Sequence, residues 1–75
     1  MKTLKDLNAD ESGIITGISE INDDVLRLMS MGLVVGAEIK CEGLSLGGDP
    51  KFFSLYGSQI TARNNTLRNH QFQGT

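Results

Sequence analysis

Apolar positions along this chain change their spacing several times, and each change marks an element. Leu4 and Leu7 lie three apart, which predicts one short helical turn, with Asn8 and Asp10 turning the chain out of it. Residues 13–20 are rich in β-branched Ile14, Ile15, Thr16 and Ile18 and read as a strand, bent or bulged at Gly17. Asn22, Asp23 and Asp24 then cap a helix, because a short side-chain oxygen can accept its free amide hydrogens and acids complement its dipole. At about 100° per residue, Val25, Leu28, Met29, Gly32, Leu26 and Leu33 gather on one broad arc opposite Asp23, Arg27 and Ser30. So short a helix must lie across the end or side of other structure to be stable. Leu26 falls at the edge of the arc and Met31 among the polar residues, so each is either an exposed anchor or packed by a tightened last turn.

Gly32 can take the left-handed conformation that ends a helix, and Gly36 feeds the next strand. There Ala37, Ile39 and Cys41 alternate with Glu38, Lys40 and Glu42, the pattern of a half-buried strand. Gly43 interrupts it, and a bulge at that point would return Leu44 and Leu46 to the inward side. Residues 47–50, with Gly48, Asp49 and Pro50, form a hairpin connection in which Pro50 ends the ladder. Residues 51–57 return with Phe53 and Leu55 inward and Phe52, Ser54 and Tyr56 outward, so Phe52 or Tyr56 is exposed or covered by another element. A tight turn at Gly57-Ser58 leads into a strand over residues 58–62, Asn64 to Thr66 suit a 3₁₀ turn, and residues 69–73 close with Phe72 inward. Five short strands and one inserted helix describe a mainly β protein, a small barrel whose closure removes exposed edges.

Composition narrows the function more than the fold. A chain of 75 residues encloses one small core, so residues 1–75 are expected to form one domain. The single cysteine, Cys41, has no internal disulfide partner, which points to a reducing compartment. Acids in the first eleven residues replace the apolar run of a signal peptide, and no stretch is long enough to span a membrane, so a cytoplasmic location is expected. A net charge of −2 and a pI near 5.1 argue against a nucleic-acid groove, although Arg63, Arg68 and His70 make the final stretch mildly basic.

Catalysis and metal binding find little support. Cys41 sits on the inward parity, where burial suppresses the reactive thiolate. His70 has no acidic neighbour in sequence, and Glu38 and Glu42 are too far apart on an extended strand to chelate one ion together. Gly47-Gly48 lacks the lysine and helix of a phosphate loop. Neither an enzyme, a metal site nor a cofactor is expected.

The order Arg27-Leu28, Met31-Gly32-Leu33, Gly36 with Glu38-Ile39, Gly48-Asp49-Pro50, Gly57 and Ala62-Arg63 resembles the FeoA family of small cytoplasmic ferrous iron transport accessory proteins, over nearly the whole chain. Val35 stands where that family often has proline, and Ala62 where leucine is usual. The resemblance implies an SH3-like barrel with one short α-helix inserted after the first long strand. It also implies a partner, the membrane ferrous iron transporter FeoB with its cytoplasmic G-protein domain, without membrane insertion of the chain itself. The candidate anchors are Leu26, Met29, Met31 and Leu33 on the helix and its following loop, with Phe52 and Tyr56 as a second patch. A GTPase-activating role would need an arginine, for which Arg27 and Arg63 are available. The alternative is a regulatory module akin to the C-terminal domain of metal-dependent transcriptional repressors, against which stands the lack of a recognition helix with basic flanks.

Overall fold

The computed structural model describes residues 2–74. Its elements run from a 3₁₀ turn at Leu4–Asp6 through β1 (Ser12–Ile18), α1 (Asp23–Ser30) and β2 (Glu38–Leu44) to a second 3₁₀ turn at Leu46–Gly48. They continue as β3 (Lys51–Leu55), β4 (Ser58–Ala62), a one-turn α2 (Asn64–Leu67) and β5 (His70–Gly74). The five strands form one antiparallel sheet in the order β4-β3-β2-β1-β5. Its inward positions, Ile15, Ile39, Cys41, Phe53, Leu55, Ile60, Ala62 and Phe72, meet in one apolar cluster with Leu4, Leu7, Leu28, Leu33 and Leu67. All five strands therefore curl around a shared interior, which is the SH3-like barrel.

Two bulges permit the curl. The β1–β5 register shifts between Ile15 and Gly17, and the β2–β3 register between Cys41 and Gly43, each adding a residue on one strand and a bend. The second bulge corrects one expectation. Leu44 pairs with Lys51 and thus shares its inward face, yet Leu44 is exposed while Lys51 is buried, and Leu46 projects fully into solvent from the 3₁₀ turn. Direction was restored and burial was not.

Helix α1 starts and stops by local hydrogen bonding. Asn22 Oδ1 accepts the Val25 N–H at 2.9 Å. At the other end Gly32 N–H donates to Met29 O and Leu33 N–H to Leu28 O, the paired bonds of a Schellman motif, with Gly32 at a φ of 105°. That motif brings the residue after the glycine back onto the last helical turn, so Leu33 packs in the same core cluster as Leu28 and is fully buried. Leu33 is consequently removed from the candidate anchors: no partner can reach it. A turn closed by Ala37 N–H to Val34 O at 3.0 Å, with Gly36 at a φ of 92° in its third position, then starts β2.

Two further boundaries move. The β3–β4 turn is Tyr56-Gly57, one residue earlier than Gly57-Ser58, and both residues have positive φ (49° and 84°), as a two-residue turn matched to the strand twist requires. Residues 64–67 make a full α-turn with bonds from Leu67 N–H to Arg63 O and Arg68 N–H to Asn64 O, drawn in by the buried Leu67 side chain. The 45–50 loop is pinned to this turn, since Asn64 N–H donates to Asp49 Oδ1 at 2.9 Å and Asn64 Nδ2 to Gly48 O at 3.2 Å. Gly48 O also receives the ammonium of buried Lys51 at 3.0 Å. The Asp49–Pro50 bond is cis.

Candidate functional site

Two large apolar side chains at α1 and its end stay out of the core. Val25 and Leu28 are buried, Met29 is half-buried, and Leu26 and Met31 are 51% and 45% exposed. The last two are large apolar side chains that the barrel does not cover; Met31 lines a groove of about 480 Å³ between α1 and the end of β4, a size that suits a ligand or a short peptide segment, and Leu26 lies outside it. Its α1 wall is Arg27, Leu28 and Met31, three positions of one helical face; Thr61, Ala62 and Arg63 line the opposite wall. Met31 reaches this groove because the chain tightens where the helix ends, its N–H donating to Leu28 O at 3.1 Å.

Charge at the groove is mixed. Arg27 faces Asp24 at 3.6 Å across an exposed helical turn, an arrangement of little energetic weight in water. Arg63 is exposed and has no ion pair or side-chain hydrogen bond among the described residues. Neither guanidinium is tied into the core.

The Phe52 and Tyr56 patch lies elsewhere. Phe52 is on the outer face opposite Thr61, while Tyr56 sits at the turn, 79% exposed, beside a shallow depression bordered by Ser12, Glu38, Lys40 and Ser54. Phe52 does not line that depression. The two aromatics, one on the outer face of β3 and one in the turn after it, therefore do not form one pocket.

Cys41 and His70 are both fully buried. Burial pushes the Cys41 thiol above its ordinary range, against a weaker opposing effect of its contact with Gly43 O. His70 Nε2 lies 3.1 Å from Leu33 O, and its Nδ1 has no partner, so the neutral ring donating through Nε2–H fits the site. Burial depresses its pKa below 6.5, the hydrogen bond to Leu33 opposing. Its donor thus holds the loop after α1 against β5. The signal for this burial was present in sequence, because His70 shares its parity with the inward Phe72. No group of three or more His, Cys, Asp or Glu side chains capable of holding a metal ion occurs among the described residues. No described helix is long and apolar enough to cross a membrane.

The FeoA domain family matches the chain over residues 2–69. Among solved structures, the FeoA protein of Chlorobium tepidum superimposes with a TM-score of 0.88 at 27% identity, over 97% of this chain and 70% of that one. Iron(II) transport protein A of Clostridium thermocellum gives 0.90 at 22% identity, over 97% of this chain and 45% of that one. A zinc-complexed FeoA of Stenotrophomonas maltophilia, described as a prokaryotic SH3 domain protein, gives 0.83 at 21% identity, over 97% and 91%. The latter two bear on the fold alone. No curated protein sequence matches the chain.

Proposed function

This chain belongs to the FeoA domain family, and we propose that it acts in the cytoplasm as an accessory factor of ferrous iron transport by binding the cytoplasmic region of the membrane transporter FeoB. The observation that carries this reading is the pair of exposed apolar side chains at α1, Leu26 and Met31, the second of which lines a groove that no described residue fills. Large uncovered apolar side chains at a concave site favour a partner, since their burial removes area from water without any chemistry. The Stenotrophomonas relative, described as a candidate activating factor of bacterial ferrous iron transport, fits a role of that kind. A small rigid barrel can act this way by binding one conformation of its partner better than another.

The test is Leu26→Gln, measured for both stability and binding to the purified cytoplasmic region of the transporter. Leu26 is half out of the core already, so the fold should melt within a few degrees of the wild type, while affinity drops by about fivefold, the equivalent of about 1 kcal/mol of lost apolar burial. Ferrous iron uptake in cells carrying the variant should fall in parallel. A folded variant with unchanged binding and uptake would remove α1 as the binding surface and leave Phe52 and Tyr56 to be examined by the same pair of measurements.

A further inference from the structure

The groove beside α1 has an unusual second wall: the open edge of the sheet. Strand β4 pairs only with β3, in the register Leu55–Ser58, Ser54–Gln59, Phe53–Ile60, Phe52–Thr61 and Lys51–Ala62. A two-residue turn closes on a hydrogen-bonded pair, and pair types then alternate, so Ser58, Ile60 and Ala62 exchange bonds with β3. Gln59 and Thr61 must aim their N–H and C=O groups the other way. Neither has a backbone partner in any turn, loop or cap of the described chain. Thr61 and Ala62 line the groove, with Arg63 following at the end of the strand.

Three features therefore meet at one place. Free main-chain donors and acceptors run along β4, which presents about 17 Å of edge over its five residues. Apolar Leu28 and Met31 stand across from them, and Arg63 and Arg27 supply two guanidinium groups against the single acid Asp24. In a chain of net charge −2, that local positive balance is an exception, and the unpaired Arg63 is placed to receive a carboxylate.

We propose that the β4 edge is a strand-addition site: an extended, acidic segment of the transporter's cytoplasmic region pairs with the outward groups of Gln59 and Thr61. Alternate side chains of that segment point into the groove, where an apolar one meets Leu28 and Met31 and an acidic one meets Arg63 and Arg27. Backbone pairing supplies affinity, and the arginines supply the choice of sequence. This rests on the reading of the chain as a partner of the transporter, and it adds which edge is used and what chemistry is recognised.

Amide hydrogen exchange of the full chain, with and without the purified cytoplasmic region of the transporter, tests the pairing directly. The Gln59 and Thr61 amides should become protected in the complex. Thr61→Pro deletes one outward donor without touching the β3–β4 ladder, and Arg63→Glu reverses the charge; each should weaken binding by about tenfold or more with the melting temperature nearly unchanged. If Thr61→Pro fails to fold, Gln59→Pro makes the same deletion one pair nearer the turn. Binding by the wild type with both amides unprotected would overturn strand addition while leaving the transporter as partner, whether or not Arg63→Glu weakens it. Protection that appears on raising the concentration of the chain alone would assign the edge to a second copy and overturn the proposal. No binding by the wild type would remove the transporter as partner, and this proposal with it.

Discussion

The sheet's two edges are finished in opposite ways. At β5 the N-terminal segment lies alongside: Thr3 bridges Gln71, Phe72 N–H donates to Lys2 O at 3.2 Å, and Leu4 is fully buried beneath. Inside that edge β1 and β5 approach so closely that Gly13 has no space for a methyl group, and His70 is sealed against Leu33 O. At β4 no described segment is added, and the strand shows solvent the polar side chains of Ser58, Gln59 and Thr61. A bare edge invites pairing with other chains, and its shortness and polar side chains limit the wrong ones. The contrast separates a half of the barrel that holds the fold from a half that presents a surface. Substitutions should divide accordingly, into those that cost stability and those that cost binding.

The sharpest way to break this division is Gly13→Ala. A Cβ there would lie 2.6 Å from Gln73 O and 2.7 Å from Phe72 Cδ2, so backbone must move, at a cost of about 2–4 kcal/mol. Gly43→Ala is the control, because open space surrounds that position. Equal denaturant midpoints for the two variants would show that close approach of β1 and β5 is not what secures the covered edge.

His70→Leu should follow, with a loss of about 1–3 kcal/mol near neutral pH from leaving the buried Leu33 carbonyl unpaired. The same residue sets a pH dependence. Its folded pKa is lowered by burial from 6.5, so above that value the ring is neutral in both states and contributes no slope. As pH falls below 6.5 the unfolded chain takes up a proton that the folded chain resists, and stability declines. Urea midpoints measured down through this range should fall more steeply for the wild type than for His70→Leu. Parallel curves would mean that the ring accepts its proton without cost.

The smallest effect is expected at the presenting half and has the opposite sign. Tyr56 holds a φ of 49° in a two-residue turn, a conformation costing most side chains about 1–2 kcal/mol and asparagine much less. Tyr56→Asn should therefore raise stability by about 1 kcal/mol, seen as a melting temperature several degrees higher. An unchanged melting temperature would remove the turn from the account.

Much of the fold could be read in the sequence, and the reasons are local. Strict alternation over residues 37–41 marks β2, paired aromatics and leucines mark β3, and Asn22 and Gly32 mark the two ends of α1 because capping depends on near neighbours. What escaped depends on hydrogen bonds and chain reversals that hydrophobic periodicity does not record. Lys51 shares the inward parity of Phe53 and Leu55, but its burial needs the nearby loop carbonyl Gly48 O to meet its ammonium. Leu33 sits on the apolar arc in sequence, yet its burial follows from chain reversal at Gly32, which separates it from Leu26 and Met31. The groove beside α1 was legible only in part: its helix wall is periodic, whereas the open edge of β4 emerges from strand order, which alternation along one strand does not specify.

Cys41 carries a last consequence. Its sulfur is fully buried on β2 and burial raises its pKa, so the thiolate that would attack peroxide or an alkylating reagent is suppressed and out of reach. The same seclusion makes the residue a clock. A thiol reagent can label it only when β2 and its neighbours part, so the labelling rate, followed in dilute denaturant, reports how often the barrel opens. With one cysteine in the chain, that clock needs no engineering.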